Sequence, residues 1–248
     1  MRQPFEGKPK VNILGVPFLQ LTQRAVVDEL GRCVEQRLPC HVVTANPEIL
    51  IRAWDDEGYM AVLHQADAVT ADGVGVLWAA RQQGIELPER VAGFDLLLAL
   101  LNQANRAGWS IYLLGATEEV NRTAAARIAQ RYPGLRVAGR HHGYFSPQEE
   151  EGLLAELERL RPQVLFVALG SPLQEFWIAR HKQRLGIPVA MGVGGSLDVL
   201  SGKVKRASRF WQDLQLEWFY RLIQEPRRWR RILALRRFVW RVVSQKKR

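Results

Sequence analysis

The sequence predicts an α/β fold: one largely parallel sheet covered by helices on both faces, with a basic helical appendage at the C-terminal end. Three observations predict it. Short apolar runs rich in β-branched residues, often closed by glycine, alternate with longer amphipathic segments along most of the chain. That alternation is the mark of βα units, whose crossover helices cover a sheet in the Rossmann-like manner. The charge, finally, is lopsided: residues 201–248 carry 15 Lys/Arg against 3 Asp/Glu, whereas residues 1–200 are nearly neutral. The predicted division is therefore an α/β core over 1–200 and a basic helical appendage over 201–248.

In chain order, VNILG (11–15) is the first strand candidate, followed by a helix over TQRAVVDELGRCVEQ for which Thr22 supplies the N-cap. HVVTA (41–45) is the second strand, and Asn46-Pro47 after it suits the N-cap and first position of a helix. DAVTA (67–71) runs into the turn Asp72-Gly73-Val74-Gly75. A Leu-rich helix is expected from Phe94 to Arg106, and SIYLLG (110–115) returns as a strand. LRVAG (135–139) is next, and Ser146-Pro147 with Gln148 and Glu149 signals the start of a helix through EEEGLLAELERL. VLFVALG (164–170) and PVAMGVGG (188–195) complete seven strand candidates.

At 248 residues and 47% hydrophobic content the chain can bury a sizeable core. MRQPFEGKPK has no apolar leader region, and no apolar run reaches the ~18 residues of a spanning helix, so neither a secretory signal nor a transmembrane segment is predicted. Cys33 and Cys40 read as reduced thiols. The five histidines have no metal-ligand spacing, and no D-x-D, G-x-G-x-x-G or Walker pattern occurs, so no metal and no classic nucleotide-binding loop is predicted.

In a parallel sheet, ligands bind beyond the carboxyl ends of the strands. The polar residues just after each strand are therefore the candidates: Thr44 and Asn46, Asp72, Gly115 to Thr117, Tyr144, Ser171 and Gln174, and Gly192 to Asp198, including Gly195. Asp72 can cap the next helix or face a cleft as a general base, and Asn46 can be an N-cap alone. The turns GATEE, LGSP and GVGG offer backbone N–H groups to a diphosphate, for which Arg90 is a natural partner.

The segment from Glu217 to Arg248 holds 11 Lys/Arg and 6 aromatic residues. Pro226 is expected to end one helix near Gln224 and start another. In the second, Trp229, Ile232, Leu233, Val239, Trp240 and Val243 share one arc, with Arg227, Arg230, Arg231, Arg237 and Arg241 roughly opposite. A basic amphipathic helix edged with Trp suits an anionic membrane surface. Interleaved cations and aromatics also suit nucleic acid, which is the rival from outside the enzymes, but nucleic acid offers little to bury the apolar arc.

VTANPE, ADGVGV, the R-V-A-G-x-D stretch from Arg90 to Asp95, GSPLQE, GVGGSLD and EWFYRLIQEPRRWRR resemble, in order, the blocks of the WecG/TagA/CpsF family of bacterial glycosyltransferases, glycosyltransferase family 26. The resemblance runs from about residue 11 to residue 231. It implies an inverting, metal-independent enzyme, peripheral on the inner, cytoplasmic face of the cell membrane and needing no cofactor. Its donor would be a UDP-sugar of N-acetylmannosamine type, and its acceptor an N-acetylglucosamine on undecaprenyl diphosphate, in teichoic acid, capsule or common antigen synthesis. Glucose or N-acetylmannosaminuronic acid are the alternative sugars, and the resemblance leaves room for a homo-oligomer in solution. It makes Asp72 the catalytic base and places Thr44, Asn46, Arg90 and Gln174 around the reacting sugars. Arg221, Arg228 and Arg231 match the family's tail arginines, which would close over the diphosphate; Tyr144, Gly195 and Asp198 are assigned to the donor nucleotide. The sequence departs from the family at Leu197, where Phe is common, and at Arg206-Ala207-Ser208, where Arg-Ala-Pro is.

Overall fold

A computed structural model describes residues 3–206, 211 and 230–245, with the side chains of the last segment described from Ala234 to Ser244. Strands β1 (Lys10–Ile13) and β2 (Val16–Leu19) form an antiparallel hairpin of their own. The first strand candidate therefore does not join the main sheet, and β2 was not anticipated. Four-residue strands joined by two residues can only pair antiparallel. The turn residues Leu14 and Gly15 both take positive φ, and Asn12 Oδ1 accepts the Gly15 N–H at 2.8 Å.

The chain then alternates as predicted: α1 (Gln23–Gln36), β3 (His41–Ala45), α2 (Pro47–Asp55), α3 (Glu57–Gln65), β4 (Ala68–Ala71), α4 (Val74–Gln82), α5 (Gly93–Ala107) and β5 (Ser110–Gly115). It continues with α6 (Glu118–Arg131), β6 (Arg136–His141), α7 (Pro147–Leu160), β7 (Val164–Ala168), α8 (Leu173–Leu185), β8 (Val189–Gly192) and α9 (Ser196–Leu200). A last helix, α10, covers Arg230–Gln245. Thr22 and Asn46 cap α1 and α2 as expected, and Ser146 with Glu149 forms a reciprocal capping box at α7.

The six main strands are all parallel, in the order β4-β3-β8-β7-β5-β6. Alternate residues feed opposite faces. Val42, Ala68, Leu113, Phe166 and Met191 pack with α1, α5 and α6, while Val43, Val69, Leu114, Val167 and Ala190 face the layer built from the hairpin, α2, α3, α4, α7 and α8. Burial on both sides explains why β3, β4, β5, β7 and β8 read as continuous apolar runs, whereas the edge strand β6 is only half-buried. Cys33 and Cys40 are buried free thiols of the first layer.

The final helix lies on α2 and α4. Phe238 (1% exposed) and Val242 (2%) enter the core there, with the Phe238 ring 6.4 Å from that of Trp78. The described part of the apolar arc read from the sequence, Val239, Trp240 and Val243, instead remains exposed. Among its described side chains the helix thus carries apolar residues on two adjoining faces and packs through the one with Phe238 and Val242. Pro226, Arg227, Trp229 and the side chains of Arg230, Ile232 and Leu233 lie outside the described residues. Among the described residues no helix is long and apolar enough to cross a membrane.

Candidate active site

Parallel pairing sets the first cluster. Register matches Thr44 to Thr70 and Ala45 to Ala71, so Asn46 and Asp72 leave the sheet side by side. The Asp72 N–H donates to Ala45 O at 2.9 Å. Asn46 Oδ1 accepts the N–H groups of Glu48 and Ile49, both at 3.0 Å, so the capping role is filled and its Nδ2 is the atom left for a ligand.

Asp72 does not cap the helix that follows it. Gly73, with φ of 103°, is the N-cap of α4 and makes no side-chain cap bond. Asp72 Oδ2 instead accepts the N–H of Gly93, the first residue of α5, at 3.1 Å. This bond aims the carboxylate across the strand ends rather than along its own helix.

Gly93 was missed in the sequence, although it stands inside the R-V-A-G-x-D block. A Cβ added there would lie 2.6 Å from Thr44 Oγ1 and 3.4 Å from Asp72 Oδ2. Its lack of a side chain lets a hydroxyl and a carboxylate from neighbouring strands meet one helix start. Nearby, Arg90 Nη2 lies 3.8 Å from Asp95 Oδ2, and the same carboxylate receives Arg206 on its other oxygen. The Arg206 guanidinium also lies 4.9 Å above the Phe94 ring. Arg90 is thus held by the first turn of the helix whose first N–H meets Asp72.

The second cluster forms where β7 and β8 end. Gln174 is 5% exposed, and both ends of its amide are engaged: Oε1 accepts the Gly194 N–H at 3.0 Å, and Nε2 donates to Glu175 Oε1 at 2.7 Å. Glu175, 1% exposed, also accepts from the Tyr59 hydroxyl at 3.1 Å, and burial pushes its carboxyl above the usual range. Tyr59 in turn meets Ser171 Oγ at 2.8 Å, and Arg52 Nη1 donates to Ser171 O at 2.7 Å. Burial raises the Tyr59 phenol as well, so it remains a hydroxyl.

Strand order decides which candidates meet. Asp72, Thr44 with Asn46, the Gly192–Asp198 turn and Ser171 with Gln174 follow four adjacent strands. Gly195 is exposed and Asp198 half-buried on that turn, while Leu197 is fully buried in the core. The departure at Leu197 therefore changes the packing behind the turn. Tyr144 follows β6, five strand positions from β4, which is ~24 Å at the usual strand spacing. It is 76% exposed and is the outlying candidate. The GATEE turn places Glu118 and Glu119 in the first turn of α6, a poor start for binding an anion. Arg221, Arg228 and the side chain of Arg231 lie outside the described residues. Among the described residues, no three His, Cys, Asp or Glu side chains are grouped as a metal ion would require.

Fold and site together describe a ligand-binding α/β protein of the doubly wound kind, with its polar groups gathered at the carboxyl edge of a parallel sheet. The chain belongs to the WecG/TagA/CpsF family: the sequence model described as "Glycosyl transferase WecG/TagA/CpsF family" matches residues 11–248. It is a glycosyltransferase. Among its relatives is a Bacillus spizizenii (strain W23) protein named N-acetylglucosaminyldiphosphoundecaprenol N-acetyl-beta-D-mannosaminyltransferase. It is 38% identical over 214 residues, covering 86% of this chain and 82% of the relative. Proteins of the same name in Bacillus subtilis (strain 168) and Staphylococcus aureus (strain MRSA252) are each 35% identical. They cover 95% and 96% of this chain and 91% and 94% of their own lengths.

Proposed function

We propose that this enzyme moves an N-acetylmannosamine-type sugar from a UDP donor to an N-acetylglucosamine carried on undecaprenyl diphosphate, with inversion and without a metal or other cofactor. The observation that carries the reading is the Asp72 carboxylate, aimed by the Gly93 N–H and set beside Thr44, in a chain whose relatives are named for that transfer. Asp72 takes the proton of the acceptor hydroxyl as its oxygen bonds to the anomeric carbon. The bond from that carbon to the UDP oxygen breaks, and UDP leaves with the electron pair.

Thr44 and Asn46 Nδ2 orient the sugars, and Arg90 meets the negative charge that grows on the leaving diphosphate. Arg221, Arg228 and Arg231 supply further positive charge from the appendage over 201–248, whose last helix is seated on the core. Gly195 and Asp198 contact the donor nucleotide. Tyr144 would meet the uracil of a donor laid along the strand ends. Gln174 acts by holding the Gly192–Gly195 turn.

The same reading puts the enzyme on the inner face of the cell membrane. What supports this is the outer face of α10: Trp240 is 63% exposed, with Val239 and Val243 beside it and Trp54 close by. The Arg241 guanidinium lies 4.7 Å from the Trp54 ring and 5.2 Å from that of Trp240. Cations beside exposed indoles suit the headgroup layer, where charge meets phosphate and the rings meet acyl chains. The test is transfer to a synthetic lipid-diphosphate N-acetylglucosamine in EDTA with a panel of UDP-sugars that includes glucose and N-acetylmannosaminuronic acid. Product with the N-acetylmannosamine donor, lost in Asp72→Asn, is the expected result. Near-full activity of Asp72→Asn would refute the base, and a requirement for divalent cation would refute the metal-free mechanism.

A further inference from the structure

We propose that Glu175 is a positioning residue for the donor half of the site, fixing which way round the Gln174 amide sits and thereby holding the turn that carries Gly195. The inference rests on the donor reading given above. A primary amide presents an oxygen on one side and an N–H donor pair on the other, and packing alone does not choose between the two orientations. Here two neighbours choose together. The Gly194 N–H can only donate, and on the opposite side Glu175 Oε1 accepts from Gln174 Nε2 at 2.7 Å. Gln174 Oε1 is then turned to the Gly194 N–H, at 3.0 Å. Reversing the amide would set the carboxylate against the oxygen and the Gly194 N–H against another donor.

The carboxylate is itself held. Its second oxygen accepts from Tyr59 on α3, and Tyr59 is braced by Ser171, whose carbonyl receives Arg52 from α2. On the far side, a Cβ at Gly192 would come within 2.6 Å of Gln174 Nε2, so the amide fills the space against the end of β8. Gly194 sits at φ of 48°, and its N–H is the atom through which the chain of contacts reaches the turn. A buried carboxylate is costly to keep where an apolar side chain could fill the same volume. Orientation of the neighbouring amide is what this one provides.

Glu175→Met removes the acceptor at similar length, whereas Glu175→Gln keeps an oxygen for Gln174 Nε2 and can place its own N–H on the Tyr59 hydroxyl. Two readouts are taken on the full chain: hydrogen exchange at the Gly194 amide without ligand, and separate KM values for the UDP-sugar and the lipid acceptor. Glu175→Met is expected to speed Gly194 exchange and raise donor KM by about tenfold each, with acceptor KM within about twofold; Glu175→Gln is expected to stay within about threefold of wild type. Tyr59→Phe, which removes only the brace, serves if Glu175→Met fails to fold and should shift both readouts the same way by about threefold.

Unchanged exchange at Gly194 would overturn the relay, as would Glu175→Gln behaving like Glu175→Met. Faster exchange with donor and acceptor KM moving together, or not at all, would overturn its link to the donor. If the wild type used no UDP-sugar, the donor reading itself would fall, and with it that link, while the exchange rates would still decide whether Glu175 holds the turn.

Discussion

Gly93→Ala asks whether the close approach of Thr44, Asp72 and α5 matters to the chemistry. Gly93 opens α5, where alanine is the better helix former, so the backbone itself tolerates the change. The obstacle is local. The new methyl would lie 2.6 Å from Thr44 Oγ1, about 0.8 Å inside the 3.4 Å at which ordinary contact begins, while Asp72 Oδ2, at 3.4 Å, sits at that limit. Either the Thr44 hydroxyl turns away or the start of α5 backs off and lengthens the 3.1 Å bond to Asp72. Overpacking of this kind costs about 1–3 kcal/mol, partly offset by the gain in helix propensity. A misplacement approaching 1 Å at reacting groups can cost about a hundredfold in rate. The variant is therefore expected to melt only a few degrees lower, yet turn over some 30- to 100-fold more slowly at saturating substrates, an estimate on the order of that geometric penalty. Steady-state kinetics beside a thermal melt separate the two effects. On a Thr44→Ala background the added methyl meets no hydroxyl, so Gly93→Ala should there cost little more than Thr44→Ala alone. A Gly93→Ala enzyme within about threefold of wild-type kcat would refute the idea that this contact sets the geometry of the site.

The final helix gives a contrasting pair: Phe238→Ala removes a buried ring and should cost about 3 kcal/mol, read as faster hydrogen exchange in α10, whereas Trp240→Ala should change stability by less than about 0.5 kcal/mol but weaken sedimentation with anionic vesicles severalfold. His41 gives a pH signature. Burial, with the Lys182 charge nearby, pushes its imidazole down to about 3. Between that value and 6.5 the unfolded chain binds a proton that the native state does not, so stability falls as pH drops through this window by up to about 1.4 kcal/mol per unit. His181, lowered mainly by burial, adds in the same direction. Urea unfolding from pH 7 to pH 4.5 should show the slope, and His41→Gln should reduce it by about one proton.

The sheet was legible because five of its strands are covered on both faces and announced themselves as apolar runs; β6, half-buried along its length, was read as 135–139 and runs on to His141. The caps at Thr22, Asn46 and Ser146 were legible because a short polar side chain before a helix has a local cause, visible within four residues. The hairpin was misread for the opposite reason: its turn uses Leu14, which takes a positive φ without the glycine pair that usually signals it. In the site, the side chains at strand ends could be named one by one, but not what each one touches. Asp72 looked able to cap its own helix because the sequence does not tell which N–H its oxygen reaches; the answer, Gly93, lies 21 residues away. Gly93 was passed over for the same reason, since a glycine required by close approach looks like any other until the approaching side chain is placed. Gln174 was named as a candidate, but the turn it holds stayed hidden because Gly194 comes from another part of the chain.

The packing of the last helix bears on the site in a way that its composition does not suggest. The helices it lies on, α2 and α4, begin at Asn46-Pro47 and just beyond Asp72. A Cβ at Gly75 would meet Pro47 at 2.6 Å and Phe238 at 3.5 Å, so the starts of both helices and the buried ring of α10 share one contact point. Arg237, paired with both carboxylate oxygens of Asp55 at 2.8 Å, grips the other end of α2. The exposed ion pair is a weak tie, and Phe238 with Val242 supplies the main hold. The face left outward by this arrangement is the one with Trp240. A surface that engaged Trp240 would therefore bear on a helix already wedged against the roots of Asn46 and Asp72, within one short layer of packing.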